Sequence, residues 1–219
     1  MKTRRIFSFF FSLFFLAVIA QQKKDSVRTV WKYEPNFMVG FDVLNAGMAA
    51  FSHRKVLQGY VSSRLQNNLH GIVQAGFEKN IYDKNGYDAT ASGPFAKLGA
   101  FYMLAYDREN TMNGFYAGAQ LAGSFYRQEY RAIPVRGYAG SSTSVAYPSS
   151  TQSSYWVEGI IGGKVQLFET PFYIDVNVQP RYMVFSTKQD DIQPMIVPGF
   201  GQSSGKFNLG FSWNIAYFF

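Results

Sequence analysis

The sequence predicts an all-β protein, a transmembrane antiparallel up-and-down β-barrel of about eight strands behind an N-terminal signal peptide. Three observations carry that expectation. Apolar and polar side chains alternate with period two through most of the chain after residue 35, as in strands whose successive side chains face opposite sides of a sheet. The apolar rows are long and aromatic: the 219 residues include 22 Phe and 15 Tyr, and only 16% are charged, against roughly 25% in soluble domains. Short and long connections alternate, as a barrel with both chain ends on one side requires.

The chain divides into a signal peptide over 1–20, a periplasmic leader over 21–35 and the barrel over 36–219. Lys2, Arg4 and Arg5 precede an apolar run from Ile6 to Ala20 that ends in Val18-Ile19-Ala20, small or short residues of the kind a signal peptidase reads. The run is shorter than a membrane-crossing helix needs, and polar Gln21-Gln22-Lys23-Lys24 follows at once. Losing those three cations leaves 18 of the 21 basic side chains against 14 acidic ones, so the net charge falls from +7 to +4. No long basic stripe remains to track phosphates, and no nucleic acid is expected as a partner. With no cysteine there is no disulfide, no thiolate zinc site, no cysteine nucleophile and no lipidated N-terminal cysteine.

The strands follow in order. Phe37, Val39, Phe41 and Val43 oppose Gly40 and Asp42. Gly59, Val61 and Leu65 oppose Gln58, Tyr60, Ser62 and Arg64, with Ser63 interrupting the apolar row. Leu69, Val73, Ala75 and Phe77 oppose His70, Gln74 and Glu78. A fourth segment, the least decisive, sets Leu98, Ala100, Tyr102, Leu104 and Tyr106 against Gly99, Phe101 and Met103. Phe115, Ala117, Ala119, Leu121 and Phe125 oppose Tyr116, Gln120 and Ser124; Tyr155, Val157, Ile161, Val165 and Leu167 oppose Glu158, Lys164 and Gln166. Phe172, Ile174, Val176 and Val178 oppose Asp175, Asn177, Gln179 and Arg181, with a bulge or ladder break expected at Pro180, which lacks an amide donor. The last strand is the clearest: Phe207, Leu209, Phe211, Trp213, Ile215, Tyr217 and Phe219 form one apolar face.

Short turns are expected at Gln66-Asn67-Asn68, Asp107 to Gly114 and Glu169-Thr170-Pro171, and long outer loops at Ala46 to Arg54, Lys79 to Phe95, Gln128 to Ser154 and Lys188 to Gly205. Helix is not expected anywhere after the signal peptide, because no long stretch keeps a 3.6-residue apolar period. Tyr33, Tyr60, Tyr106, Tyr155, Trp156 and Tyr217 fit interfacial aromatic girdles, with core packing as the competing explanation for each.

Backbone amides in hydrocarbon must be satisfied internally, so the polar face of a closed barrel points into the lumen, which at eight strands is narrow enough for side chains to fill. Asp42, Arg64, Glu78, Glu158, Lys164, Asp175 and Arg181 then form a lumen polar network of both signs, paired because an unpartnered buried charge is strongly unfavourable. No catalytic residue, metal site or cofactor is expected. The Gly-rich stretches 159–164 and 199–206 have the wrong spacing for a phosphate loop, and their lysines precede Val165 and Phe207, where Ser or Thr would be needed. An alternative is a rim-active lipid-modifying enzyme in which His53 or His70 orients a serine of the stretch 141–154; the two histidines fall at opposite barrel ends, and no G-x-S-x-G elbow occurs. A third reading is a soluble secreted barrel that binds an apolar ligand.

The terminal Phe219 resembles the C-terminal signal read by the barrel-assembly machinery, which implies that machinery as a partner during biogenesis. Val39-Gly40-Phe41-Asp42, Trp156-Val157-Glu158-Gly159 running into Gly163-Lys164-Val165, and Val197-Pro198-Gly199-Phe200-Gly201 resemble a family of uncharacterised small outer-membrane barrels of Gram-negative bacteria, a domain of unknown function, over residues 36–219. The resemblance implies an outer-membrane location and this fold, and no activity. The expected protein is a non-enzymatic structural, docking or accessory component of an outer-membrane assembly. It contacts outer-membrane lipid and meets any protein partner through its outer loops, above all Gln128 to Ser154 with its Tyr and Ser content.

Overall fold

The computed structural model describes residues 36–107, 109–136, 142–189, 192–203 and 205–219. The signal peptide over 1–20 and the leader over 21–35, with Tyr33, lie outside the described residues. Eight antiparallel strands close into a ring: β1 (Phe37–Asp42), β2 (Arg54–Gln66), β3 (Leu69–Lys84), β4 (Tyr87–Tyr106), β5 (Gly114–Arg136), β6 (Ser142–Gln166), β7 (Phe172–Ser186) and β10 (Phe207–Phe218). Sequence neighbours pair throughout, and β1 closes the ring on β10 from Met38↔Phe218 to Asp42↔Asn214. The ladders satisfy the paired backbone groups, and closure removes the sheet edges except where β1 ends at Asp42 between β2 and β10.

Period two becomes an inside and an outside. On β10, Phe207, Leu209, Phe211, Trp213, Ile215 and Tyr217 are exposed, while Gly210, Ser212, Asn214 and Ala216 are buried. On β5 the outward row is apolar at Phe115, Leu121 and Phe125, then becomes Arg127, Glu129 and Arg131 at the same parity. Phe115 to Phe125 spans about 33 Å of strand, or about 25 Å of height at a tilt near 40°. That matches the apolar band of a membrane barrel.

The short connections fall at residues 67–68, 107–113 and 167–171, as expected. The long ones differ. Residues 79–95 are not a loop: β3 and β4 continue as one hairpin through Asn85 (φ 56°) and Gly86 (φ 80°), the left-handed pair that a two-residue type I′ turn demands. Most of 128–154 is likewise strand, because β5 and β6 continue to pair as far as Arg136↔Ser142. The expectation of no helix also fails. A short helix, α1 (Val43–Met48), follows β1, capped by Asp42, whose Oδ1 accepts the Asn45 amide at 3.0 Å. A six-residue helix is too short to show an apolar period, and its signal is the cap alone. At Pro180 the β6–β7 ladder lapses between Glu158↔Arg181 and Ile161↔Val178 with register kept, and a bulge sits nearby at Tyr155/Trp156.

The stretch 192–203 turns inward. Within it β8 (Ile196–Val197) and β9 (Gly201–Gln202) form a small hairpin whose Ile196, Val197 and Phe200 are buried against Val56, Phe95, Tyr126, Trp156 and Met183 of the wall. This loop plugs the barrel at the long-hairpin end. A second apolar cluster, around Met38, Phe101, Met103, Tyr116 and Ile160, fills the short-turn end.

Candidate functional site

The described interior is a layer of charged and amide side chains held between those two apolar clusters. Asp42, Glu78, Glu158, Lys164, Asp175 and Arg181 are all buried in the lumen, and Arg64 is half-buried at its short-turn end. They divide into separate groups.

Near the plug, Glu158 on β6 and Arg181 on β7 are cross-strand partners whose side chains meet at 3.1 Å. Lys97 on β4 reaches the other oxygen of the same carboxylate at 2.8 Å, and Trp156 Nε1 donates to Glu158 Oε2 at 3.0 Å. Arg181 also donates to Gln179 Oε1 at 2.5 Å and to the Phe200 carbonyl at 3.0 Å, so a wall cation holds the plug. Glu78 makes a two-point pair with Arg54, at 2.7 and 3.3 Å, and accepts the Gly199 amide at 2.8 Å. Across this group three cations, Arg54, Lys97 and Arg181, face two anions, Glu78 and Glu158.

At the other end Asp175 accepts from Tyr116 at 2.6 Å and Tyr60 at 2.7 Å, and Lys164 lies 3.8 Å from it. Lys164 sits 4.2 Å above the Phe101 ring centroid and within 5.5 Å of the Tyr60 and Tyr116 centroids. Asp42 makes no ion pair among the described residues, though its charge acts on Arg54 nearby; it caps α1, accepts from Asn45 Nδ2 at 2.6 Å and also accepts from Gln58. Arg64 donates to Thr111 Oγ1 at 2.9 Å, tying β2 to the 107–113 turn.

Two of the cations escape the sequence reading, in which the fourth strand starts at Leu98 and the second after Arg54. The alternation reaches both: Lys97 shares the parity of Phe101 and Met103, and Arg54 that of Gln58 and Tyr60. Tyr60 and Trp156 correct the girdle expectation, since both are buried in the lumen, whereas Tyr106, Tyr155 and Tyr217 face outward. His70 stacks on Phe101 at 5.0 Å inside the short-turn end, while the His53 carbonyl accepts from the Ile81 amide beyond the start of β2. The structure does not bring the two histidines together. Phe219 is exposed, donates its amide to the Phe37 carbonyl at 2.9 Å and packs edge-on to Tyr217 at 4.7 Å.

Above the apolar band, Tyr130 on β5 clasps the plug: its hydroxyl donates to the Gln193 carbonyl at 3.3 Å and accepts the Met195 amide at 3.1 Å. Burial pushes its phenol above the ordinary value, and the Met195 amide pulls it back. The site therefore holds itself closed. Its charges are engaged with one another, with the plug or, at Asp42 and Arg64, with neutral neighbours, and among the described residues no three His, Asp or Glu side chains gather with metal-ligand spacing.

A family model described as "Domain of unknown function (DUF6048)" matches residues 2–219. No curated protein matches the chain. Among solved structures the chain is similar to the crystal structure of Neisserial surface protein A (NspA), at 12% identity and a TM-score of 0.39, over 83% of this chain and 93% of that one.

Proposed function

This chain belongs to the DUF6048 family, and from that premise we propose that it is an integral outer-membrane barrel with a plugged interior, a non-enzymatic structural, docking or accessory component of an outer-membrane assembly. The observation that carries the reading is the inverted polarity of the closed ring. Large apolar side chains such as Leu121, Ile161 and Phe211 stand exposed around its outside, while Glu78, Glu158, Lys164 and Asp175 are buried within. Water is a poor solvent for that surface and hydrocarbon a good one.

A non-enzymatic role is supported by the pairing inside, because buried charges that pair with one another, as Lys97, Glu158 and Arg181 do, hold a wall together. Docking through the long-hairpin end is supported by the β3–β4 and β5–β6 hairpins, which carry polar outward faces above the apolar band. In this reading the signal peptide over 1–20 supplies export, and Phe219, which follows β10, the contact for the assembly machinery.

The experiment is fractionation of the tagged protein, a comparison of gel mobility in unboiled and boiled samples, and mass spectrometry of what co-purifies in mild detergent. The reading expects outer-membrane recovery, a mobility shift and a stoichiometric protein companion. Recovery in the soluble periplasmic fraction would replace it with a secreted ligand-binding barrel.

A further inference from the structure

The ring has one seam where ladder pairing stops short. β1 pairs with β10 only as far as Asp42↔Asn214 and with β2 only as far as Phe41↔Gly59. Above those pairs Phe207 to Trp213 of β10 and Arg54 to Gln58 of β2 have no β1 partner, and α1 takes the place of a strand. The open stretch of β10 is about 23 Å long and the six-residue helix about 9 Å, so α1 covers only part of the gap. It is pinned there by Asn45, whose side-chain amide donates to the Phe211 carbonyl at 3.3 Å.

Two recesses meet at this helix and share Leu44 and Met48 as a common wall. The outer one, on the apolar exterior, is lined by Val43, Leu44, Gly47, Met48, Phe51 and Trp213, with Phe51 95% exposed. The inner one, about 390 Å³, is of mixed polarity, with Arg54, Gln58, Glu78, Arg181 and Asn208 beside Val56 and Phe95. Glu78 takes the Nε and Nη2 edge of Arg54. The Nη1 edge makes no hydrogen bond among the described residues, and the side chain is 37% exposed. The ion group behind it, Arg54, Lys97 and Arg181 against Glu78, Glu158 and the nearby Asp42, is balanced, so the bare edge of Arg54 is the donor it leaves over.

An apolar recess facing the bilayer and, on the other side of one helix, a recess of mixed polarity that presents a guanidinium edge without a hydrogen-bond partner among the described residues fit a single amphiphile. We propose that the α1 seam is a binding site for a membrane lipid with an anionic phosphate headgroup, its acyl chain against Leu44, Met48, Phe51 and Trp213 and a phosphate oxygen on the free edge of Arg54. The site rests on the membrane reading above, since only in a bilayer does the outer recess face acyl chains. Arginine suits the task because its guanidinium offers five donors, enough to hold Glu78 and a phosphate at once.

The test places the intact protein in phosphatidylcholine vesicles and titrates in brominated-chain phosphatidylglycerol or brominated-chain phosphatidylcholine. Bromine quenching of Trp213 is read as the difference between the unaltered chain and Trp213→Phe. Half-maximal quenching is expected at about fivefold lower mole fraction for the anionic lipid, the gain that one basic side chain makes beside such a headgroup. Arg54→Gln removes that difference, and the charge-matched Lys79→Gln leaves it. Equal quenching by both lipids in the unaltered chain, which needs no variant to fold, overturns the site while leaving the barrel in the bilayer. A preference that survives Arg54→Gln, or that Lys79→Gln removes as well, also overturns it. Quenching by neither lipid overturns membrane insertion itself.

Discussion

The amide of Gly199 donates to Glu78 Oε2 at 2.8 Å inside the barrel, joining a plug residue to a wall carboxylate 121 positions away in the chain. The other side of that carboxylate is held by Arg54. A hydrophobic loop segment is thereby anchored through its backbone, and the anchor depends on a backbone shape that side chains oppose: Gly199 has φ +80°, and a Cβ there would come within 2.5 Å of the Phe95 ring.

Gly199→Ala should therefore loosen the plug without opening the ring. The expected cost is about 1–3 kcal/mol, confined to residues 192–203. Amide hydrogen exchange checks it: the Phe200 amide, bonded to the Val197 carbonyl at 3.1 Å, should exchange about tenfold faster or more, while the amides of β10 keep their protection. Unchanged exchange at Phe200 would show that the plug stands without this contact.

Glu158→Gln leaves Lys97 and Arg181 buried together without their shared carboxylate. It should destabilise the barrel by about 3–5 kcal/mol, whereas the triple replacement Lys97→Met, Glu158→Leu and Arg181→Met, which removes all three charges together, should cost less than the single change. Urea unfolding, followed by loss of the fast-migrating folded form on gels, measures both. A single variant within about 1 kcal/mol of the parent is the contrary result.

Leu121 and Glu129 share the outward face of β5, with Leu121 inside the apolar band and Glu129 above it. Leu121 is 68% exposed, so in water Leu121→Arg would cost almost nothing; in a bilayer it should cost about 2–4 kcal/mol. Glu129→Arg exchanges an exposed pair with Arg131 for solvent-screened like charges beside Arg127 and Arg131, and should cost about 0–1 kcal/mol. Folding free energies in lipid vesicles decide the matter, and equal costs at the two positions would remove the membrane reading.

His53→Ala and His70→Ala should leave outer-membrane lipid composition unchanged. His70→Ala should lower stability by about 0.5–1.5 kcal/mol through loss of its stacking on Phe101. A changed acyl pattern by lipid mass spectrometry in either variant would reinstate the enzyme alternative.

Much of this is legible in residue order. The outward row from Phe207 to Tyr217 and the lumen parity of Glu158, Lys164, Asp175 and Arg181 follow from the pleat of a strand, which sends neighbouring side chains to opposite faces whatever they later touch. The hairpin through Asn85-Gly86 is also written there, in a turn dipeptide, although the polar residues around it resemble a loop. Lys97 escapes for a related reason: strand ends carry the weakest alternation, and its parity with Phe101 shows only once the strand is extended past Leu98.

Sequence by itself determined that the chain is a sheet with one apolar and one polar face, and that closing it places the charges inside. Tertiary structure alone decided which charge meets which, that Lys97 and Arg181 share Glu158, that α1 stands where β1 would continue, and that the segment around Val197 and Phe200 turns inward to rest on Glu78 and Arg181. The reason is range. Facing is a local property repeated every two residues, whereas partners across a barrel are fixed by register and closure, which join positions more than a hundred residues apart.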